Sequence, residues 1–245
     1  MLAIKTRKHV NAVIDAPPSK SYTQRALMVA ALANGKSVIR NPLFSDDTNY
    51  MVSALRQFGL KIDRKGNDLV VHGANGVLIQ PNNKIFVGNA GTAMRFIATF
   101  ASLCRGNSII TGDKRMQQRP VHDLLDALRQ LGIRSESSNG FPPIKIYGGT
   151  FNGGSAKLKG SVSSQYLSSL LMCAPYANKG ATISVIGNLA SKPYIDITLD
   201  VMKNFGVAVK NINYKKFVIK SNKKYKAKSY KVEGDASSAS YFFAA

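Results

Sequence analysis

The chain has 245 residues, of which 44% are hydrophobic, with 20 Gly, 9 Pro and 2 Cys. This composition excludes a disordered or collagen-like chain, and two cysteines cannot build a disulfide framework. The 34 Lys and Arg against 13 Asp and Glu give a net charge of +21, which favours an anionic partner: nucleic acid, phospholipid, or a phosphorylated or carboxylated small molecule.

A threefold repeat organises the chain. Gly59, Gly132 and Gly206 each end an amphipathic helical pattern, and they lie 73 and 74 residues apart. Upstream of each amphipathic helix, a helix rich in small residues is predicted over 21–33, 91–103 and 164–177. A short strand is predicted between the two helices of each unit, over 37–40, 108–111 and 182–186. A hairpin is predicted after each glycine, at 60–63 with 68–72, 133–137 with 143–147, and 207–209 with 217–220.

The first helix of each unit is apolar on nearly all faces, which predicts burial. We therefore expect an α/β fold of three helix-strand-helix-hairpin units, with helices inside and sheets outside. Residues 1–16 are strand-like and lie outside the repeat. Residues 231–245 begin a strand, a turn and a helix, as if a fourth unit started there, so the chain reads as incomplete.

Hydroxyl- and amide-rich segments introduce the three buried helices, at 17–25, 88–95 and 160–165. Helix N-termini offer free backbone N–H groups and a positive dipole end, so they hold anions. If the units surround a pseudo-threefold axis, these starts converge, and Lys20, Arg25, Arg95 and Arg119 add positive charge. The alternative is ordinary N-capping, since Ser and Thr commonly precede helices.

Arg119 precedes Pro120, which is expected at the first position of the next helix. Its guanidinium can present two donors to a phosphate or carboxylate, although a solvated loop arginine is the simpler interpretation. The sequence contains neither a P-loop nor a dinucleotide-binding glycine pattern, and His9, His72 and His122 lack metal-ligand spacing. No run is long and apolar enough for a membrane span and no signal-peptide core is present, which predicts a cytoplasmic protein without membrane contact.

Nine lysines lie between residues 210 and 231, interleaved with Tyr214, Tyr225 and Tyr230. Basic residues alternating with aromatics can bind nucleic acid. Because the segment coincides with the third predicted hairpin, the same alternation also describes a solvated strand face. A basic nucleic-acid-binding module therefore stays as the alternative function.

Seven motifs resemble the 5-enolpyruvylshikimate-3-phosphate synthase family, also called 3-phosphoshikimate 1-carboxyvinyltransferases, and span nearly the whole chain in family order. They are PPSKSYTQRA at 17–26, DDT at 46–48, GNAGTAMRF at 88–96, RMQQRP at 115–120, VSSQYLSSLL at 162–171, SKPYIDIT at 191–198 and VEGDASSASYFFAA at 232–245.

The resemblance implies an inverse α/β barrel: a domain over residues 17–230, with 1–16 and 231–245 belonging to a second domain that is otherwise absent. It implies transfer of the enolpyruvyl group of phosphoenolpyruvate to the 5-hydroxyl of shikimate 3-phosphate, with release of phosphate, as a step of aromatic amino-acid biosynthesis. It implies no cofactor, no metal and no nucleic-acid partner, with glyphosate as an inhibitor. A monomer is expected.

The resemblance also implies two groups of binding residues. The first ligand set, for shikimate 3-phosphate, comprises Lys20, Ser21, Arg25, Ser163, Ser164, Gln165, Ser191 and Tyr194. The second ligand set, for phosphoenolpyruvate, comprises Lys20, Asn89, Gly91, Arg119 and Gln165. No residue of this chain is expected to be the acid or base, because Asp46, Asp47 and Asp235 match structural positions. The chain alone is therefore expected not to turn over, and to need the family's C-terminal half in cis or in trans.

Overall fold

The computed structural model of the protein describes residue 9 and residues 11–244. In unit one, helix α1 (Lys20–Leu32), strand β1 (Asn34–Arg40) and helix α2 (Asp46–Gln57) precede the hairpin β2 (Lys61–Lys65) and β3 (Asp68–Ala74). Unit two contains β4 (Ile85–Phe86), α3 (Gly91–Ala101), β5 (Gly106–Thr111), α4 (His122–Gln130), β6 (Arg134–Ser138) and β7 (Phe141–Gly148).

Unit three contains β8 (Gly154–Lys159), α5 (Ser164–Cys173), β9 (Ala181–Ile186), α6 (Lys192–Asn204), β10 (Lys210–Ile212) and β11 (Lys216–Ile219). The described chain continues through β12 (Ser229–Lys231) and α7 (Ala236–Phe243). The predicted order of helix, strand, helix and hairpin is therefore confirmed in all three units.

In the described residues the strands form three four-stranded sheets with the orders β12-β1-β3-β2, β4-β5-β7-β6 and β8-β9-β11-β10. In each sheet the strand that follows the buried helix is central. This strand (β1, β5 or β9) pairs antiparallel with the second strand of the hairpin and parallel with one outer strand. In units two and three the outer strand, β4 or β8, precedes the buried helix of its own unit. In unit one that place is taken by β12, where Ser229 pairs with Val38, so the chain returns to the sheet in which it began.

The core lies between the three buried helices, α1, α3 and α5. Every residue of α1 from Thr23 to Leu32 is buried, and so are nine of the ten residues of α5. Phe58 at the end of α2 packs edge-to-face against Phe100 of α3, with ring centroids 5.3 Å apart, and joins units one and two. The prediction of helices inside and sheets outside is confirmed.

The three repeat glycines end α2, α4 and α6 in the left-handed conformation. Gly59, Gly132 and Gly206 have φ values of +88°, +85° and +90°, which glycine adopts without a Cβ clash. Their nearly equal spacing arises because the second helix of each unit ends with a residue in the left-handed conformation.

Four local predictions were wrong. In the segment 1–16, which was expected to be strand-like, residue 9 and residues 11–16 form no strand, and the other residues lie outside the described part of the chain. The first strand of the third hairpin is at 210–212 rather than 207–209, because Val207 is buried beneath the end of α6 and its N–H bonds the Met202 carbonyl. Helix α5 ends at Cys173 because Pro175 has no N–H to continue it, and a 3₁₀ turn follows. Pro120 is not the first residue of α4, which has Val121 as its N-cap.

Candidate functional site

Three helix starts enclose one cavity of about 360 Å³. It is lined by Lys20, Ser21, Arg25, Thr92, Val162, Ser163, Ser164, Gln165, Ala190, Ser191 and Tyr194. All eight residues of the first ligand set are among them. The structure therefore brings together residues from units one and three that are up to 174 positions apart in the sequence.

The cavity lies at the N-termini of α1, α5 and α6. Ser19 and Ser163 cap the first two helices through their hydroxyl oxygens, which accept from the backbone N–H of Tyr22 and Gln165. Unpaired N–H groups and the positive ends of three dipoles favour an anion at this place. Capping and anion attraction therefore coexist here, rather than excluding each other.

Ser191, the N-cap of α6, has a left-handed backbone with φ 55° and ψ 49°. For a residue with a Cβ this conformation costs about 1 kcal/mol or more. Its side chain makes no hydrogen bond to the helix it caps. The hydroxyl therefore remains available to a ligand in the cavity.

Arg25 is the most deeply placed cation of the cavity and is 2% exposed. Its Nε donates to Thr198 Oγ1 at 2.7 Å, Nη1 to the Ser21 carbonyl at 3.1 Å, and Nη2 to Ser168 Oγ at 3.1 Å and the Tyr194 carbonyl at 3.2 Å. In the described part of the chain, no carboxylate lies within ion-pair distance of this guanidinium. Burial lowers the pKa of Arg25 to about 10, since the charged form is poorly solvated there.

Lys20 lies at the mouth of the same cavity. Its Nζ is 3.0 Å from Asp47 Oδ2 at the start of α2, and half of its side chain is exposed. The Asp47 carbonyl accepts from Nε2 of the buried Gln24 at 2.8 Å, which fixes α2 against α1. Lys20 is thus held at the rim, within reach of ligands on either side of it.

The second ligand set divides between this cavity and the start of α3. Lys20 and Gln165 line the cavity, while Asn89, Gly91 and Arg119 lie outside it. Gln165 Nε2 donates to Thr92 Oγ1 on α3 at 3.2 Å and so connects the two places. Arg119 Nη1 donates to the Asn89 carbonyl at 3.3 Å.

Gly91 is in close contact with two guanidinium groups. A Cβ at this position would lie 2.5 Å from Arg95 Nη1 and 2.7 Å from both terminal nitrogens of Arg119. Arg95 donates to the Gly91 carbonyl at 2.7 Å, whereas its buried Nε has no partner among the described residues. Burial above all, and also Arg119, lower the pKa of Arg95. Arg95 and Arg119 therefore flank the start of α3, and neither forms an ion pair with a carboxylate of residue 9 or residues 11–244.

Sequence reasoning missed several residues that shape the site. Thr92, Val162 and Ala190 line the cavity, and Phe96, Ser168 and Thr198 surround the Arg25 guanidinium, whose carbon lies 5.4 Å from the Phe96 ring centre. Polar residues on a buried helix face were the available signal for Ser168 and Thr198. Nothing in the spacing alone assigned them to Arg25.

A larger groove of about 960 Å³ lies where residues 15–18 cross residues 231–234. Its charged lining residues are Asp15, Glu233 and Lys231, which do not favour an anion. The smaller cavity has Lys20, Arg25 and the helix starts, which favour an anion.

The carboxylates of the matched motifs have local partners. Asp47 pairs with Lys20, and Asp235 caps α7 by accepting from the Ser237 N–H at 3.1 Å. Asp46 lies in the first turn of α2. Across residues 11–244 and residue 9, no cluster of three or more His, Cys, Asp or Glu is arranged to hold a metal ion, and no helix is long and apolar enough to cross a membrane.

Comparisons with known proteins agree with each other. The family model described as EPSP synthase (3-phosphoshikimate 1-carboxyvinyltransferase) matches residues 4–245. Proteins named 3-phosphoshikimate 1-carboxyvinyltransferase from Buchnera aphidicola subsp. Schizaphis graminum and from Citrobacter koseri are 48% and 47% identical to this chain. Each match covers 100% of this chain but 58% of the relative. The chain therefore spans less than two thirds of their length.

A solved structure of EPSP synthase from Acinetobacter baumannii superposes with a TM-score of 0.84 at 26% sequence identity. The superposition covers 94% of this chain and 51% of that one. The arrangement of buried helices and outer sheets is thus shared over nearly the whole chain.

Proposed function

Because the chain belongs to the EPSP synthase family, we propose that it forms the shikimate 3-phosphate-binding part of an enolpyruvyl transferase. One observation carries the proposal: all eight residues of the first ligand set line a single cavity at three helix N-termini. The buried Arg25, whose hydrogen-bond partners within the described part of the chain are all neutral, supplies a charge that an anionic group of the ligand would balance.

The proposed reaction is an addition followed by an elimination. The 5-hydroxyl of shikimate 3-phosphate gives up its proton to a base as its oxygen bonds to C2 of phosphoenolpyruvate, and C3 gains a proton from an acid, which gives a tetrahedral intermediate. Loss of a proton from C3 and of phosphate from C2 then restores the double bond in the product. Lys20 and Gln165, which belong to both ligand sets, would hold the two substrates side by side.

We propose the start of α3 as the phosphoenolpyruvate side, which glyphosate would also occupy. The guanidinium of Arg119 and the uncapped start of α3 at Gly91 support an anionic ligand there. Arg95 stabilises this side from beneath through the Gly91 carbonyl. The site residues present need no metal or organic cofactor for these contacts.

Proton transfer is proposed to depend on sequence that the relatives have beyond the matched region. Asp47 and Asp235 are engaged by Lys20 and by the start of α7, respectively. We propose a domain over residues 17–230, with 1–16 and 231–245 leading into a second domain. Strand β12, which ends at Lys231, supports a boundary near that residue. The cytoplasmic location and the monomeric state stay predictions.

Calorimetric titration of the chain with shikimate 3-phosphate at low and moderate salt tests the proposal. We expect saturable binding, weakened by salt, and a loss of at least about tenfold in affinity on Lys20→Ala. Lys36→Ala is the matched control, because Lys36 is an exposed lysine beyond the other end of α1. Equal losses in both variants would show that the net charge, rather than the cavity, attracts the ligand.

The transferase step is tested by adding the C-terminal portion of the Citrobacter koseri relative and measuring phosphate release. Release that requires both polypeptides and both substrates is expected. Binding of shikimate 3-phosphate without release of phosphate would mean that the binding assignment is correct and that the added polypeptide does not complement this chain. If neither binding nor phosphate release were observed, the proposed function would be contradicted.

The nucleic-acid alternative is not favoured by the lysine-rich segment. Tyr225 is fully buried and Tyr230 is 6% exposed, so neither ring is available to stack on bases. The Tyr214 hydroxyl donates to Asp196 Oδ1 at 2.7 Å, which holds that ring against the protein. The lysines here cover a solvated face over an aromatic interior.

A further inference from the structure

Among the residues that the structure describes, the hydrogen-bond partners of Arg25 are all neutral, and two of them are side-chain hydroxyls. Thr198 on α6 and Ser168 on α5 are both fully buried. Thr198 Oγ1 accepts the shortest hydrogen bond of the guanidinium, from Nε at 2.7 Å. A buried arginine usually pairs with a carboxylate, since an uncompensated charge is poorly stabilised away from water. Here hydroxyls take the place of that carboxylate.

The two hydroxyls are themselves fixed. Thr198 Oγ1 lies 2.8 Å from Ser168 Oγ and 2.8 Å from the Tyr194 carbonyl, so its single proton has an acceptor in either direction. The Tyr194 carbonyl also accepts from Arg25 Nη2 at 3.2 Å. Thr198 therefore connects the guanidinium to the first turn of α6, which begins at the cavity.

We propose that Thr198, assisted by Ser168, is a positioning residue that holds the Arg25 guanidinium towards the cavity without neutralising it. The inference rests on the proposed function, because the anion that would complete the pair is an anionic group of the proposed substrate, shikimate 3-phosphate. Thr198 does not line the cavity, so it acts through Arg25. A carboxylate at this position would satisfy the guanidinium permanently and would compete with the ligand.

The physical reason lies in how the charge is distributed between the free and the bound states. Neutral acceptors give the guanidinium N–H groups hydrogen-bond partners, but they leave most of the electrostatic cost of burying the positive charge in place. An anionic group of the arriving ligand would remove that cost, and its removal would contribute to affinity. The depressed pKa of Arg25 agrees with a charge that lacks a counter-ion before ligand binding.

Thr198→Val tests the inference, because valine keeps the shape and removes the hydroxyl. We expect shikimate 3-phosphate affinity to fall by about tenfold, as for loss of a hydrogen bond to a charged group. Thr99→Val is the matched control: Thr99 is also fully buried, and its hydroxyl donates to Ser169 Oγ at 2.9 Å, away from Arg25. Thr198→Ser should restore parent affinity.

A spectroscopic measurement separates positioning from general damage and does not depend on the ligand. The Arg25 Nε–H group should give a protected, shifted resonance in the ¹⁵N spectrum of the parent chain, since it is buried and hydrogen-bonded. We expect that resonance to move or broaden in Thr198→Val and to stay in place in Thr99→Val.

The outcomes are distinct. An unmoved Arg25 resonance in Thr198→Val, or equal affinity losses in Thr198→Val and Thr99→Val, would overturn the positioning role. If the parent chain binds no shikimate 3-phosphate, the proposed function is contradicted, because the chain does not bind the proposed ligand. The resonance would then still decide whether Thr198 holds the guanidinium.

Discussion

The two proposed ligand sides differ in how the fold encloses them. The cavity of the first ligand set is formed by the starts of α1, α5 and α6, and its deepest cation is 2% exposed. The second side has the start of α3 and the turn that carries Arg119, with three of its residues outside the cavity. A threefold repeat thus produces two proposed anion sites that differ in how deeply they are enclosed.

The inequality comes from the residues that begin the repeated helices. Ser19 and Ser163 cap α1 and α5 with hydroxyls, whereas Ala90 begins α3 without a side-chain cap. Gly91 then leaves room for two guanidinium groups. Symmetry brings the helix starts together, and departures from symmetry give each side its own chemistry.

Arg25→Met should sharpen this comparison most. We expect shikimate 3-phosphate affinity to fall by about 100-fold, because the cavity loses its buried counter-charge. The melting temperature should stay within about 3 °C of the parent, since replacing a buried charge by an apolar side chain is often neutral. Calorimetry and thermal unfolding measure the two effects. A large drop in melting temperature would show that Arg25 is mainly structural.

The pH dependence of binding should follow Arg25. Its pKa is lowered to about 10 by burial, so the free protein loses this proton as the pH rises through that value. We expect affinity to be level between pH 7 and 9 and to fall above about pH 10. The contribution of this group to folding has the opposite sign: the unfolded chain keeps the proton to higher pH, so stability rises across that window.

Titrations in Arg25→Met supply the control for the pH series. The variant should lack the fall in affinity that begins near pH 10. A parallel fall in both proteins would assign the effect to groups other than Arg25.

Gly91→Ala should have the smallest effect on shikimate 3-phosphate and a larger one on the second side. The added methyl group would displace the Arg95 and Arg119 guanidinium groups, which lie 2.5 and 2.7 Å from it. We expect phosphoenolpyruvate affinity, measured with shikimate 3-phosphate present and the C-terminal portion added, to fall by about tenfold. Shikimate 3-phosphate affinity should change by less than about twofold. Equal losses for both ligands would show that the two sides are one site.

The sequence was sufficient to predict the helix, strand, helix and hairpin of each unit and the burial of its first helix. The helix-ending glycines and the apolar first helices are local signals, and their recurrence made them reliable. Strand β8 was not predicted, although Ala156 and Leu158 alternate with lysines along it. Its parallel pairing with β9 is a tertiary event that no local turn announces.

Only those residues of the candidate site that lie in recognisable motifs could be predicted from the sequence. All residues of the first ligand set line one cavity, yet their roles come from family resemblance and stay proposals. Thr198 and Ser168 could not be assigned from sequence, because contacts between α1, α5 and α6 depend on how three units pack. The helix start predicted from Pro120 was wrong, because a proline can lie at the first helical position or just before the N-cap.

The return of β12 to the first sheet makes the three units a ring with one seam. At the seam, Ser19 N–H bonds the Glu233 carbonyl at 2.8 Å and Asp235 N–H bonds the Pro17 carbonyl at 2.7 Å. Residues 17 and 235 are therefore neighbours, although the whole repeat separates them along the chain. In topological terms the ring opens at this one seam, where both chain segments leave it side by side.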